Sequence, residues 1–110
     1  MNESASSSGH CQETELSARD GAVVRQLTIR NRKGLHARAS ARFVQTVEKF
    51  DADVRVARCG ETVGGTSIMG LMMLAAAPGT HITVEAIGPQ AAEVVEALAA
   101  LIDSRFGETE

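Results

Sequence analysis

The sequence predicts an α+β fold, with three helices covering one face of a four-stranded antiparallel sheet in the order β-α-β-β-α-β-α. Three observations carry the prediction. Residues 23–30 and 81–87 alternate apolar and polar side chains, as half-buried strands do. A segment from His36 to about Phe50, and another from Gly88-Pro89 to about Phe106, repeat apolar residues at helical spacing. Between them, Val54 and Val56 and then Thr62-Val63 flank a Cys59-Gly60 turn, the pattern of a hairpin.

Taken in order, residues 1–20 are rich in Ser, Glu and other polar residues, with only Leu16 to bury. That composition does not offset the entropy of ordering, so a disordered tail is expected ahead of one domain over residues 21–110. The first strand turns Leu27 and Ile29 inward, and residues 31–34 break it. His36 is then the N-cap or first residue of a helix whose buried stripe is Phe43, Val44, Val47 and Phe50. Gly64-Gly65 ends the hairpin, and Thr66 or Ser67 caps a short helix reaching about Ala76, which Pro78-Gly79 closes. The last strand turns Ile82, Val84 and Ala86 inward, and the final helix buries Val94, Val95, Leu98, Leu101 and Ile102.

A chain of 110 residues, 44% apolar and with three Phe as its aromatics, builds one core from Val, Ile, Leu, Ala and Met. Two cysteines, Cys11 and Cys59, are too few for a disulfide framework, and the first residues lack the basic and apolar blocks of a secretion signal. A cytoplasmic protein is expected. No apolar run approaches the roughly 20 residues of a membrane span, so no membrane partner is expected. The net charge of −3 argues against nucleic acid. Charge is nevertheless segregated: Arg25, Arg30, Arg32, Lys33, Arg38 and Arg42 fall between residues 21 and 47, which hold no acid. A solvated face is the plain alternative; a positive rim steering a phosphate and acidic partners toward His36 is the sharper reading.

The stretch Asn31-Arg32-Lys33-Gly34-Leu35-His36-Ala37-Arg38-Ala39-Ser40 sets one imidazole where a polar loop gives way to a helix, with an arginine two residues on. A neutral imidazole is nucleophilic near pH 7, because an ordinary His has a pKa of roughly 6.5. The N–H groups of a first helical turn can hold a phosphate, and the guanidinium of Arg38 can fork two hydrogen bonds onto it. Gly34 permits a backbone conformation that a side chain would hinder, and small Ala37 and Ala39 leave room for a phosphate and a second protein. Carrying differs from hydrolysing, and this segment offers no carboxylate to activate water. A histidine at a helix start can also be a plain capping residue; its neighbours favour a phosphoryl carrier.

Gly34-Leu35-His36-Ala37-Arg38 together with Ser67-Ile68-Met69-Gly70 resembles HPr, the histidine phosphocarrier family of the bacterial phosphoenolpyruvate phosphotransferase system. The likeness runs ungapped from about Ala22 to Phe106. Val84-Glu85-Ala86-Ile87-Gly88-Pro89-Gln90 and Leu101-Ile102-Asp103-Ser104-Arg105-Phe106 look more like its nitrogen-related, NPr-like branch than like sugar-uptake carriers. The resemblance implies an open-faced sandwich and a phosphoryl carrier rather than a turnover enzyme, working as a monomer without cofactor or metal. It implies that His36 accepts phosphate on Nδ1, that Arg38 steadies it, and that Ser67 is a regulatory site for an HPr kinase/phosphorylase. An enzyme-I-type donor and an enzyme-IIA-type acceptor are the implied partners. Many members have proline where this chain has Ala39, so its first helical turn is less fixed in φ.

Ser67 is in any case an N-cap worth about 1 kcal/mol, and a phosphate on it would set about two negative charges beside the docking surface. Ile68, Met69, Leu71, Met72, Met73 and Leu74 are too many apolar residues for a short helix to bury on one side. Leu71 and Leu74 share the core face; Ile68, Met69 and Met72 form an exposed patch which, with Ala37, Ala41 and Arg42, makes a candidate docking surface for several partners. A second function class is a regulatory interaction protein, in which phosphorylation of His36 or Ser67 decides whether a target enzyme is bound. A metal-carrying domain is a third, but it wants paired cysteines in the loop after the first strand, and His10-Cys11 alone is a weak ligand set. His81 opens a strand and is read as structural.

Overall fold

The computed structural model describes residues 21–108; the expected tail and the His10-Cys11 pair lie outside the described residues. The elements are β1 (Val23–Thr28), α1 (Ala37–Val47), β2 (Asp53–Arg58), β3 (Glu61–Gly64), α2 (Ile68–Met73), β4 (His81–Ile87) and α3 (Ala91–Asp103), followed by a 3₁₀ turn at Arg105–Gly107. The sheet order is β1-β4-β2-β3, with every pair antiparallel. This is the expected α+β open-faced sandwich. Strand alternation produces it: Leu27 lies opposite Ile82, and Val56 opposite Val84, so one face of the sheet is aliphatic and must be covered. The helices cover it with Phe43, Val44 and Val47 from α1, Leu71 from α2, and Val94, Val95, Leu98 and Ile102 from α3. On the opposite face Glu85 is also buried, and Arg55 Nε donates to its Oε1 at 2.7 Å.

The helices end earlier than their apolar periodicity suggests. α1 stops at Val47 and leaves Phe50 half-buried in a following turn. α2 stops at Met73, because Ala75 adopts φ +52° and turns the chain. α3 stops at Asp103: Arg105 and Phe106 take φ +58° and +57°, and the chain reverses so that Phe106 enters the core. Leu101 is only half-buried. Apolar spacing reports the face that packs, whereas a left-handed residue that ends a helix leaves little trace unless it is glycine.

One glycine fixes how α1 meets α2. Gly34 sits at φ +66°, and a Cβ there would lie 2.3 Å from the Ala76 carbonyl oxygen. The next residue, Leu35, donates its N–H to that same oxygen at 3.0 Å and is itself buried. The loop leading to His36 is thereby pinned to the chain just beyond the C-terminal end of α2.

Candidate functional site

His36 is the N-cap of α1, with extended backbone at φ −79° and ψ −176°. Its Nδ1 accepts the backbone N–H of Arg38 at 3.2 Å. A backbone N–H can only donate, so Nδ1 carries a lone pair and the ring proton of the neutral imidazole resides on Nε2. That proton points at a carboxylate: Nε2 lies 2.6 Å from Oε2 of Glu108. The other carboxylate oxygen, Oε1, accepts from Nδ2 of Asn31 at 3.2 Å. Asn31 is fully buried, and the same Nδ2 donates to the Gly34 carbonyl at 2.8 Å. Its amide orientation follows, since the reverse would set oxygen against two acceptors.

Glu108 reaches this position through the reversed C-terminus. Buried Phe106 anchors the turn, Nη1 of Arg42 donates to the Phe106 carbonyl, and Gly107 passes at φ +72°, where a Cβ would lie 2.7 Å from that same Nη1. Desolvation is the largest single influence on the Glu108 carboxyl and pushes its pKa up. Hydrogen bonds from His36 and Asn31, with the charges of His36 and Lys33, outweigh it and hold the group below the ordinary carboxylate range.

Arg32, Lys33, His36, Ala37, Arg38, Arg42, Gly107 and Glu108 line one open depression. Arg38 is exposed at its rim, and among the described residues nothing holds its guanidinium. Ala37 is exposed beside it, and Ala41, one turn on, is half-buried. Ala39 is fully buried, so it packs in the core and does not clear space for a ligand. Arg42 is exposed, and its Nη1 donates to the Phe106 carbonyl. The segment around His36 holds no carboxylate of its own, but Glu108 brings one to the site from 72 residues away, approaching Nε2 and not Nδ1.

Ser67 caps α2, its Oγ accepting the Gly70 N–H at 3.0 Å. Leu71 and Leu74 are buried, while Ile68 and Met72 are about two-fifths exposed at 40% and 39%, and Met69 and Met73 stand out at 70% and 73%. The apolar patch thus includes Met73 as well. His81 is exposed at the start of β4, its Nδ1 2.9 Å from the Thr28 hydroxyl. Among the described residues no group of three His, Cys, Asp or Glu side chains could hold a metal, and no helix is long and apolar enough to cross a membrane.

Sequence reasoning missed Glu108, Asn31 and Gly107. The available signal was Phe106-Gly107: a large apolar residue followed by glycine just past a helix is a common reversal, and it brings the next residue back over the body.

A family model described as the PTS HPr component phosphorylation site matches residues 23–104. The phosphocarrier protein HPr of Cupriavidus necator is 50% identical over 86 residues, which span 78% of this chain and 97% of that protein. The crystal structure of HPr-C-His from Thermoanaerobacter tengcongensis superposes with a TM-score of 0.76 at 39% identity, covering 80% of this chain and 99% of the other. An HPr dimer structure from the same organism matches with a TM-score of 0.63 at 41% identity, covering 74% and 94%.

Proposed function

Since the chain belongs to the HPr family, phosphocarriers of the phosphotransferase system and not turnover enzymes, we propose that Nδ1 of His36 is its phosphoryl acceptor. The observation that carries this reading is the ring's orientation. The lone pair on Nδ1 faces the first-turn N–H of Arg38, at the open start of a helix and beside basic residues. In transfer, that lone pair forms a bond to phosphorus as the donor's P–N bond breaks, and the bonding pair returns to the donor's nitrogen. The Arg38 N–H, released from its cap bond, then meets a phosphoryl oxygen, and the Arg38 guanidinium holds others. The donor is an enzyme-I-type phosphohistidine and the acceptor an enzyme-IIA-type protein.

The test is incubation with labelled phosphoenolpyruvate and enzyme I, followed by location of the label. An acid-labile, base-resistant adduct on His36 is expected, and His36→Ala should abolish it. Label that persists on His10 or His81 in that variant would overturn the assignment.

A finer reading places the carrier in a cytoplasmic, nitrogen-related regulatory relay, working as a monomer; the residues 84–90 and 101–106 support the branch. Phosphorylation at a higher rate by a sugar-type than by a nitrogen-type enzyme I would refute it. The exposed cap hydroxyl of Ser67, beside Ile68 and Met69, supports a second reading, control of a target enzyme through an HPr kinase/phosphorylase. State-dependent binding without phosphoryl transfer would favour that reading.

A further inference from the structure

The contacts of His36 are two-sided, and the site just described uses only one side. A neutral imidazole whose Nδ1 attacks phosphorus becomes a cation, because Nε2 still carries its proton when the new N–P bond takes the Nδ1 lone pair. Whatever faces Nε2 therefore meets a positive charge that appears during the reaction and is absent before it. In this chain a carboxylate faces it, at 2.6 Å.

We propose that Glu108 is a positioning residue for phosphoryl transfer: held by Asn31, it fixes the Nε2–H tautomer of His36 and stabilises the phosphoryl-imidazolium that forms on attack. The inference rests on His36 being the acceptor. Three observations support it. Glu108 is held from two directions, by Asn31 Nδ2 on Oε1 and His36 on Oε2, so its acceptors are directed before any phosphate arrives. Its side chain is only 13% exposed, so water screens the pair weakly. Finally, the reversed turn that buries Phe106 in the core carries Glu108 back to His36 from 72 positions along the chain.

The arrangement acts in both directions. On loading, the carboxylate favours the ring cation that Nδ1 attack creates, much as a buried acid supports an imidazolium in hydrolases. On unloading, it keeps the proton on Nε2, so the group that leaves phosphorus is neutral imidazole and not an anion. The pair forms with its proton already in place, and no further acid is required. The charges facing this pair are Lys33 and Arg32 from the loop and Arg38 and Arg42 from α1. All four are cationic and oppose a ring cation, which leaves Glu108 as its counter-charge among the residues lining the depression.

The test uses the full chain and the variants Glu108→Gln and Glu108→Asp. The amide has one acceptor for two donors. If its oxygen serves Asn31, its NH₂ faces Nε2 and drives the ring to the Nδ1–H tautomer, which cannot attack. Nitrogen-15 NMR of the unphosphorylated protein should show Nε2–H in the parent and a raised Nδ1–H fraction in Glu108→Gln. Transfer from phosphorylated enzyme I should fall by roughly tenfold at saturating donor, the scale of one charged hydrogen bond, with partial recovery in Glu108→Asp. The acid-promoted decay of the phosphorylated protein should move to lower pH in Glu108→Gln, because the ring gives up its Nε2 proton more readily. An unchanged tautomer ratio, together with transfer and decay profiles matching the parent while the label remains on His36, overturns the role of Glu108. Label that survives His36→Ala overturns the acceptor assignment instead.

Discussion

At the scale of single residues, the site divides by sequence distance. His36 and Arg38 are legible because their chemistry is local: a cap, a first turn and a guanidinium two residues apart make sense before any folding is known. Asn31 and Glu108 are not legible. Asn31 reads as a turn former, and only its burial together with two donated bonds shows that it also aims a carboxylate. Ala39 misleads for the opposite reason, since a small residue at the start of a helix resembles cleared space but here fills the core. Arg38 supports a sharp prediction. Its guanidinium is exposed and unheld among the described residues, so Arg38→Ala removes no packing and should change stability by less than about 0.5 kcal/mol. It does remove a charge-assisted fork from the phosphoryl group, worth about 1.5–3 kcal/mol, so single-turnover transfer should slow by roughly tenfold to a hundredfold. Rapid-quench kinetics within about twofold of the parent would exclude the role, because that difference is under about 0.5 kcal/mol.

Among the elements, α2 shows what patterning can and cannot deliver. Its six residues hold too many apolar side chains for one face, and the division between Leu71 inside and Ile68, Met69 and Met72 outside follows from helical geometry. Its length does not, because Ala75 at φ +52° ends it without a glycine to announce the turn. Length matters for communication between Ser67 and His36. The loop before His36 is pinned to Ala76 beyond one end of α2, while Ser67 caps the other, so the six residues of the helix, a rise on the order of 9 Å, lie between the two contacts. That is comparable to the screening length of about 8 Å at physiological salt. Ser67→Asp keeps an acceptor for the Gly70 N–H and favours the helix dipole, so the fold should persist. It places charge beside exposed Ile68 and Met69, and so acts on docking. In a titration of enzyme I, half-saturation should rise with the maximal rate unchanged, and added salt should narrow the difference. Equal half-saturation at low salt would remove Ser67 from the docking surface.

For the molecule as a whole, the order of elements and the covered sheet face are readable because alternation and helical spacing record which side of each element is buried. The closure of the chain on itself is not, since it depends on Phe106, Gly107 and Glu108 meeting Asn31, His36 and Arg42 across the fold. This closure should be visible in acid. The Glu108 carboxyl is held below its ordinary pKa in the folded state, so between that value and the unfolded value of about 4.3 the unfolded chain binds more protons. Its contribution is therefore fully present above about pH 4.3 and is lost as pH falls through the folded value. Glu96, paired with Arg25, is held low as well, first by their hydrogen bond and then by charge. That pair is 67% and 40% exposed, however, and salt and water screen it. Thermal melts of the parent, Glu108→Gln and Glu96→Gln from pH 7 to pH 3 separate the two. The parent should melt above Glu108→Gln at pH 7, and the gap should close below about pH 4 as the parent's carboxylate takes its proton. Glu96→Gln should track the parent throughout. Taking the variant as a difference cancels the titrating groups that do not touch Glu108, including buried Glu85 opposite Arg55. A gap between the parent and Glu108→Gln that stays constant from pH 7 to pH 3 would mean that the charge of Glu108 does not hold the C-terminal turn against the body, and that buried Phe106 and the bond from Arg42 to its carbonyl anchor it.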